Sequence, residues 1–395
     1  MTQTPPTDPL QAVTHPNPYP YYAALRHRAP LVRDEASSLW VVARAQTVNR
    51  VLGDERLTVR PASEPVPRAI AGQPAGEVFA RLARMNEGDN HRLARQALVN
   101  GLGSVDMRAV FQSASDRAAT LIRSFDAGGS ALLDALAFAL PVHIVAELLG
   151  LPADDALEAT VRRFVACLSP ASSTEALSEA HGAALRLQSA LHALTLDSAV
   201  ASPLIERIEA GGLARSADLP NALVSNLLGL FSQTFDATAG LIGNSVVTLV
   251  QYRDVAAQLR AGRIDIHAFV HEVARFDPAV HNTRRFVRDT VEIEGVRLEP
   301  GDAVLVVLAA ASRDDDAYEN ADCFIADRPS APLPGFGAGR HACPGEAIAK
   351  AIAAGVVSPL LGSGYDHANP SLSWTYRPSL NARIPSFNFF DRSPS

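Results

Sequence analysis

The segment from Phe336 to Gly345, Phe-Gly-Ala-Gly-Arg-His-Ala-Cys-Pro-Gly, constrains this chain more than any other. Gly337 and Gly339 allow backbone angles that a residue with a Cβ reaches only at a cost, so the chain can fold back and aim amide N–H groups at one sulfur. Pro344 suits a first helical turn, and Glu346 to Ile352 is rich in helix formers. The pattern predicts Cys343 at the positive end of a helix dipole, which favours a thiolate. A lone cysteine is ordinarily a small buried hydrophobe. One presented on a glycine-kinked loop that opens into a helix is placed to ligate a metal.

Composition fits a large helical core. Of 395 residues, 47% are hydrophobic, alanine, leucine and arginine dominate, and aromatics are sparse. No interior linker, charge block or repeat divides the chain, which reads as a single domain over residues 1–395, with residues 1–16 expected to be a flexible N-terminal segment. The formal charge of −7 gives no electrostatic reason to expect nucleic acid or an anionic membrane. Cys167, Cys323 and Cys343 lie too far apart for a zinc motif or a disulfide framework, which suits a reducing cytoplasm. Met1 to Pro20 is polar and proline-rich and shows neither a basic start followed by an apolar run nor an anchor-like stretch, so a soluble protein is expected. Asn221 to Tyr252 is long and apolar, but Asn226, Gln233, Asp236 and Asn244 interrupt it, so it reads as a central buried helix.

The expected class is mainly α with a small β region. Pro18 to Arg28 reads as a first helix, and Leu31 to Arg33 and Leu39 to Ala43 as strands. Pro61 to Gly76 reads as a loop, Asn90 to Val99 as the start of a helix, and Leu132 to Leu149 and Ala180 to Leu194 as further helices. Val291 to Ile293 and Ala303 to Val307 are expected in one small sheet, and Arg383 to Phe390 is a last strand-like tail.

The order Phe-Gly-x-Gly-x-His-x-Cys-x-Gly resembles the haem-binding loop of the cytochrome P-450 family, in which the cysteine thiolate is the axial ligand. The resemblance implies that family's fold, haem b (iron protoporphyrin IX) as cofactor, Cys343 as metal ligand, and Phe336, Gly337, His341 and Gly345 around it. Further segments resemble the family in order. Asn17 to Tyr22 with Ala24-Leu25-Arg26 is similar to its opening helix, and Pro141 to Pro152 to its helix ending in a Leu-Leu-Gly-x-Pro turn. Glu272-Val273-Ala274-Arg275 matches its Glu-x-x-Arg motif, where the pair holds the chain that positions the cysteine loop, with Arg328 a possible third member. Alone, such a pair is more often a solvated surface contact. The zinc-protease pattern that begins at His271-Glu272 fails, because Arg275 stands where its second histidine is needed.

Haem propionates need cationic donors. The resemblance assigns His91 and Arg95, one helical turn apart, together with Arg285 and His341; each could instead serve a local ion pair. On the central helix the family places an acid followed by threonine, and here Asp236 keeps the acid while Ala237 replaces the threonine whose hydroxyl orders water and delivers protons. Thr238 could substitute if the helix were distorted, since one residue turns a side chain by about 100°. A substrate hydroxyl or amine could hold the water, or the reaction could be an atypical one: coupling, ring formation, desaturation or a peroxide-driven oxidation. Gln233, Thr234 and Asp236 could equally satisfy one another in a kinked helix.

The resemblance places substrate near residues 61–84, 164–173, the central helix and the chain after Pro278. Gln233, Thr234, His281 and Asn282 there suggest a polar or functionalised biosynthetic intermediate. The implied activity is a soluble haem-thiolate monooxygenase of secondary metabolism, drawing on dioxygen and on electrons from a separate ferredoxin or flavodoxin and its reductase. Ala237 keeps open a haem-thiolate protein that only binds ligands. A thiol hydrolase built on Cys343 leaves the other motifs unexplained.

Overall fold

The computed structural model describes residues 4–125, 129–169, 172–196, 202–211, 219–329, 331–362 and 372–389. Its elements in chain order are α1 (Tyr19–Arg26), β1 (Val32–Asp34), β2 (Leu39–Val42), α2 (Ala45–Gly53), β3 (Leu57–Thr58), α3 (Pro74–Arg81), α4 (Gly88–Leu102), α5 (Met107–Ser124), α6 (Ser130–Asp134) and α7 (Leu140–Leu149). There follow α8 (Asp155–Ala166), α9 (Thr174–Leu196), α10 (Pro203–Ala210), α11 (Leu219–Gln251), α12 (Arg253–Arg260) and α13 (Ile266–Phe276). The last part holds β4 (Thr283–Val287), β5 (Val291–Ile293), β6 (Val296–Leu298), β7 (Ala303–Val306), α14 (Leu308–Ala311), α15 (Glu346–Gly362), β8 (Leu372–Tyr376) and β9 (Pro385–Phe389).

Local chemistry sets many of these boundaries. Asp154 caps α8 by accepting from Leu157 N–H at 2.8 Å, Asp265 caps α13 through His267 and Ala268, and Ser202 caps α10. Gly150 ends α7 at φ 79°, where Leu151 N–H donates to Ala146 O and Gly150 N–H to Glu147 O. These are the two bonds of a Schellman cap, and they explain the Leu-Leu-Gly-x-Pro turn.

The contacts divide the chain into two units. The first comprises residues 1–57, 111–138 and 236–395. Its main sheet runs β1-β2-β7-β4-β3, with β2 parallel to β7 and β4 antiparallel to it. One face buries Val304 and Val306 with Val48, Val51 and Leu52 of α2, and the other buries Leu305 and Val307 with Tyr22 and Leu25 of α1. The second unit comprises residues 58–110 and 139–235 and is helical. In it α8 packs on α9, α3 on α9, and α10 on α4. The last crossing is close enough that a Cβ at Gly101 would lie 2.3 Å from Ile208 Cγ1.

Several boundaries differ from the sequence expectation. Residues 61–76 are not all loop, because Pro74 opens α3 as its first-turn proline. The helix expected from Asn90 begins at Gly88. Val291–Ile293 and Ala303–Val306 do not share a sheet: β5 pairs with β6 in a hairpin, while β7 is central in the five-stranded sheet. The N-terminal segment is not loose throughout. Gln11–Thr14 forms a 3-10 turn with Ala12 and Val13 fully buried, and Arg383 donates to the carbonyls of Val13, His15 and Pro16. The tail strand ends at Phe389, and Phe390 lies outside the described residues. Asn221 to Tyr252 falls within α11 and its C-cap. Ser130–Leu149, which contains a π-helical turn at Ala135–Ala139, is the stretch long and apolar enough to cross a membrane by length and composition; 67% of its most apolar window is buried.

Candidate functional site

Cys343 lies in a loop built by tight local bonds. Pro334–Phe336 and Gly339–His341 form 3-10 turns, and Gly337 (φ 73°) and Gly339 (φ 67°) between them take left-handed angles. Cys343 N–H donates to Phe336 O at 2.8 Å, closing the loop, and Ala349 N–H donates to Gly345 O at 2.9 Å as α15 begins. The cysteine is exposed and reduced, just ahead of the positive end of that helix. Phe336 and His341 flank it half-buried. From outside the loop, Arg340 donates to Asp54 O and Leu57 O at 3.1 and 2.8 Å, and a Cβ at Gly339 would sit 3.1 Å from Leu52 O. The loop is thus clamped to α2, which the sequence did not reveal.

Glu272 and Arg275 form a buried pair, each 1% exposed, with Nε to Oε2 at 2.8 Å and Nη2 to Oε1 at 2.7 Å. This is no solvated surface contact. Arg275 also donates to the carbonyls of Ser312, Ala321 and Cys323. Glu272 accepts from Ile325 N–H, and Arg328 Nε approaches it at 3.2 Å, so Arg328 is the third member. Together these bonds fix the chain from Ser312 to Arg328, which leads into the cysteine loop.

Arg285 occupies an inward position of β4, opposite Val304 of β7, and its Nη1 donates to Arg284 O at 2.9 Å. In the second unit, His91 is buried and Arg95 half-buried, one turn apart on α4, while Arg92 between them is exposed and paired with Asp89. The helix therefore separates the proposed donor pair from its solvent face.

Helix α11 is unbroken α-helix through residues 233–238. Gln233, Thr234, Asp236 and Ala237 are half-buried, whereas Thr238 is 1% exposed. The helix lacks the distortion that would bring Thr238 to the position of Ala237. Gln233 Nε2 bonds back to Gly229 O at 2.9 Å instead of reaching Thr234 or Asp236.

His281 and Asn282, expected near substrate, are instead engaged with the protein interior. Asn282 Nδ2 donates to Leu380 O at 2.8 Å. His281 is fully buried, with Nδ1 2.9 Å from Tyr22 Oη and Nε2 3.4 Å from Asp277 Oδ1. Asp277 also accepts from Tyr19 Oη at 2.5 Å and pairs with Arg383 at 3.0 Å. Burial pushes His281 down to about 4, with Asp277 opposing. Burial would raise Asp277, but Arg383, His281 and Tyr19 together hold its carboxyl well below the usual carboxylate range. No local pattern announces this cluster, because its members come from residues 19, 277, 281 and 383.

A cavity of about 330 Å³ in the first unit, lined among others by Ser130, Asp134, Phe138 and Phe387, contains none of the motif residues. Among the described residues no group of three His, Cys, Asp or Glu side chains is placed to hold a metal ion. A metal on Cys343 would therefore take its other ligands from a prosthetic group. An exposed thiol with an inward guanidinium on β4 in the same unit fits an anionic macrocycle.

Residues 266–361, from α13 to α15, match the family model described as Cytochrome P450. The chain is 29% identical over 366 residues to cytochrome P450 monooxygenase PikC of Streptomyces venezuelae, covering 87% of this chain and 83% of that one. It is 26% identical over 343 residues to 20-oxo-5-O-mycaminosyltylactone 23-monooxygenase of Streptomyces fradiae, covering 85% and 79%. The crystal structure of CalO2 superposes with a TM-score of 0.83 at 25% identity, over 98% of this chain and 99% of that one. Fold and site define a haem-thiolate protein. The chain is similar to the cytochrome P450 family, through the family model from α13 to α15 and through relatives along most of its length, and these matches support a P450 monooxygenase whose cofactor is haem b.

Proposed function

We propose that this chain, acting as one domain, oxidises a small, functionalised biosynthetic molecule, with Cys343 as the residue that would hold the haem iron. The observation that carries the assignment is the exposed Cys343 on its doubly kinked loop ahead of α15, braced by the buried Glu272–Arg275–Arg328 cluster. Haem bound there supplies the iron chemistry that reduces dioxygen and passes one oxygen atom to substrate. Phe336, Gly337 and Gly345 would hold the group beside the thiolate, with Arg285 and His341 meeting its propionates, and the resemblance assigns His91 and Arg95 to that same role. Electrons come from a separate ferredoxin or flavodoxin and its reductase. The relative from Streptomyces fradiae, whose named substrate is a functionalised molecule, supports the substrate class.

Asp236 and Ala237 share the half-buried part of α11, so no side-chain hydroxyl at position 237 orders water for proton delivery. Thr238, turned inward, does not take over. We assign the missing hydroxyl to the substrate. Removing the substrate's own hydroxyl or amine should then raise peroxide release, and Ala237→Thr should lower it again.

The first test is the spectrum of the reduced protein under carbon monoxide. A strongly red-shifted Soret band that disappears in Cys343→Ser is expected. A haem-free protein, or a histidine-type band under native conditions, overturns the assignment.

A further inference from the structure

The second unit contains a cation that no acid among the described residues neutralises. Arg84 sits in the 3-10 turn Ala83–Met85 between α3 and α4. The residues just before Arg84 pin that turn to α11. Ala83 N–H donates to Asn226 Oδ1 at 2.8 Å, and Asn226 Nδ2 returns to Arg81 O at 2.9 Å. Leu82 fills the notch above Gly229, where a Cβ would lie 2.8 Å from Leu82 Cδ2, and Asn86 Nδ2 closes the turn on the carbonyls of Ala80 and Leu82. The backbone that carries Arg84 is therefore fixed.

Its side chain is treated differently from other arginines of the unit. Arg60 reaches Glu64 at 3.5 Å and Arg162 reaches Glu158 at 2.7 Å. Arg84 Nε is sealed from solvent, and no acceptor among the described residues meets it. The group that acts on its charge is the Cys167 thiol after α8, which is neutral at ordinary pH because burial pushes it up to about 12. Burial lowers Arg84 itself to about 10, so it stays cationic at neutral pH. The residue as a whole keeps a partial opening to solvent. An uncompensated, partly desolvated guanidinium on a rigid turn is unfavourable unless an anion arrives to meet it. Its planar fork matches a carboxylate or phosphate in two parallel hydrogen bonds.

We propose that Arg84 receives an oxyanion of the substrate, a carboxylate or a phosphate monoester, so that the molecule this enzyme oxidises is an acid. This rests on the monooxygenase reading above and narrows its substrate class.

Calorimetric titration of the haem-loaded protein tests it with decanoate against decanamide, 4-phenylbenzoate against 4-phenylbenzamide, and decyl phosphate against decanol. At least one anion should bind about tenfold or more tightly than its neutral counterpart, and Arg84→Gln should erase that preference while keeping the affinity of the neutral member. Decyl phosphate against decanoate identifies which oxyanion is preferred. If no anion exceeds its counterpart, or if the preference survives in Arg84→Gln, the proposal falls. Thermal melting without ligand gives a readout independent of the probes: Arg84→Met should melt higher than the wild type, and a lower melting temperature overturns the idea of an unmet charge. Loss of haem from Arg84→Gln would put the guanidinium on the prosthetic group and also overturns it. The carbon monoxide spectrum of the same samples separates the two readings, since an anion preference without a thiolate band would sink the monooxygenase assignment and leave the anion site standing.

Discussion

Two buried ionic clusters flank the C-terminal end of α13, and they are made in opposite ways. Glu272 and Arg275 are three residues apart on one helix face, and their cluster reaches forward to bind the backbone from Ser312 to Arg328. Asp277, two residues beyond Arg275, draws its partners from the two ends of the chain: Tyr19, and Arg383 at a separation of 106 residues. The first cluster positions the approach to Cys343. The second ties the N-terminal segment to Arg383, just ahead of β9. The difference teaches that a charge pair declares itself in sequence when a helix supplies its geometry, and stays silent when the fold supplies it.

The sharpest way to break this comparison is Glu272→Gln, which leaves Arg275 and Arg328 without their counter-charge in the interior. Loss of one partner of a buried pair costs about 3–5 kcal/mol, so the variant should show a much lower denaturation midpoint and poor haem retention. Arg383→Met should cost somewhat less, about 3 kcal/mol, because Asp277 keeps Tyr19 and His281. Its hydrogen exchange should quicken at residues 12–16 while the Ser312 to Arg328 segment stays protected. Equal loosening of both segments would merge the clusters into one network.

Acid sharpens the contrast further. His281 has a folded-state pKa of about 4, below its unfolded value, so the unfolded chain binds the proton first. Stability from this histidine is complete above about pH 6.5 and is lost as pH falls toward 4, by roughly 3 kcal/mol. Asp277, also depressed, adds a loss only as pH falls below about 4. The pH 4 to 6.5 slope of the unfolding free energy should flatten in His281→Asn, and an unchanged slope would remove His281 from the account. The smallest effect is expected in the cysteine loop. Gly337→Ala places a Cβ on a left-handed backbone at about 1–3 kcal/mol, read as a lower melting temperature.

Motifs whose geometry is local were legible. The glycine-kinked loop, the Glu272–Arg275 spacing, the pairing of His91 and Arg95 on α4 and the Schellman turn at Gly150 each depend on neighbours within a few residues. What was not legible depends on burial. His281 and Asn282 look like substrate contacts by polarity alone, yet both are enclosed and bonded to distant chain. The N-terminal segment looks loose because its composition is polar and proline-rich, yet three of its carbonyls satisfy Arg383. Arg84 gave no signal, since an arginine without a partner is defined by what surrounds it.

The sequence by itself determined the helical class, the thiolate loop and the acid-arginine pair, because backbone angles and helix faces are properties of short stretches. Only the tertiary structure decided that Arg328 completes the first cluster, that Asp277 joins segments near both ends of the chain, and that Arg84 Nε meets no acceptor among the described residues. Desolvation and long-range pairing arise when distant segments close around a charge, and no window of sequence contains both sides of that contact.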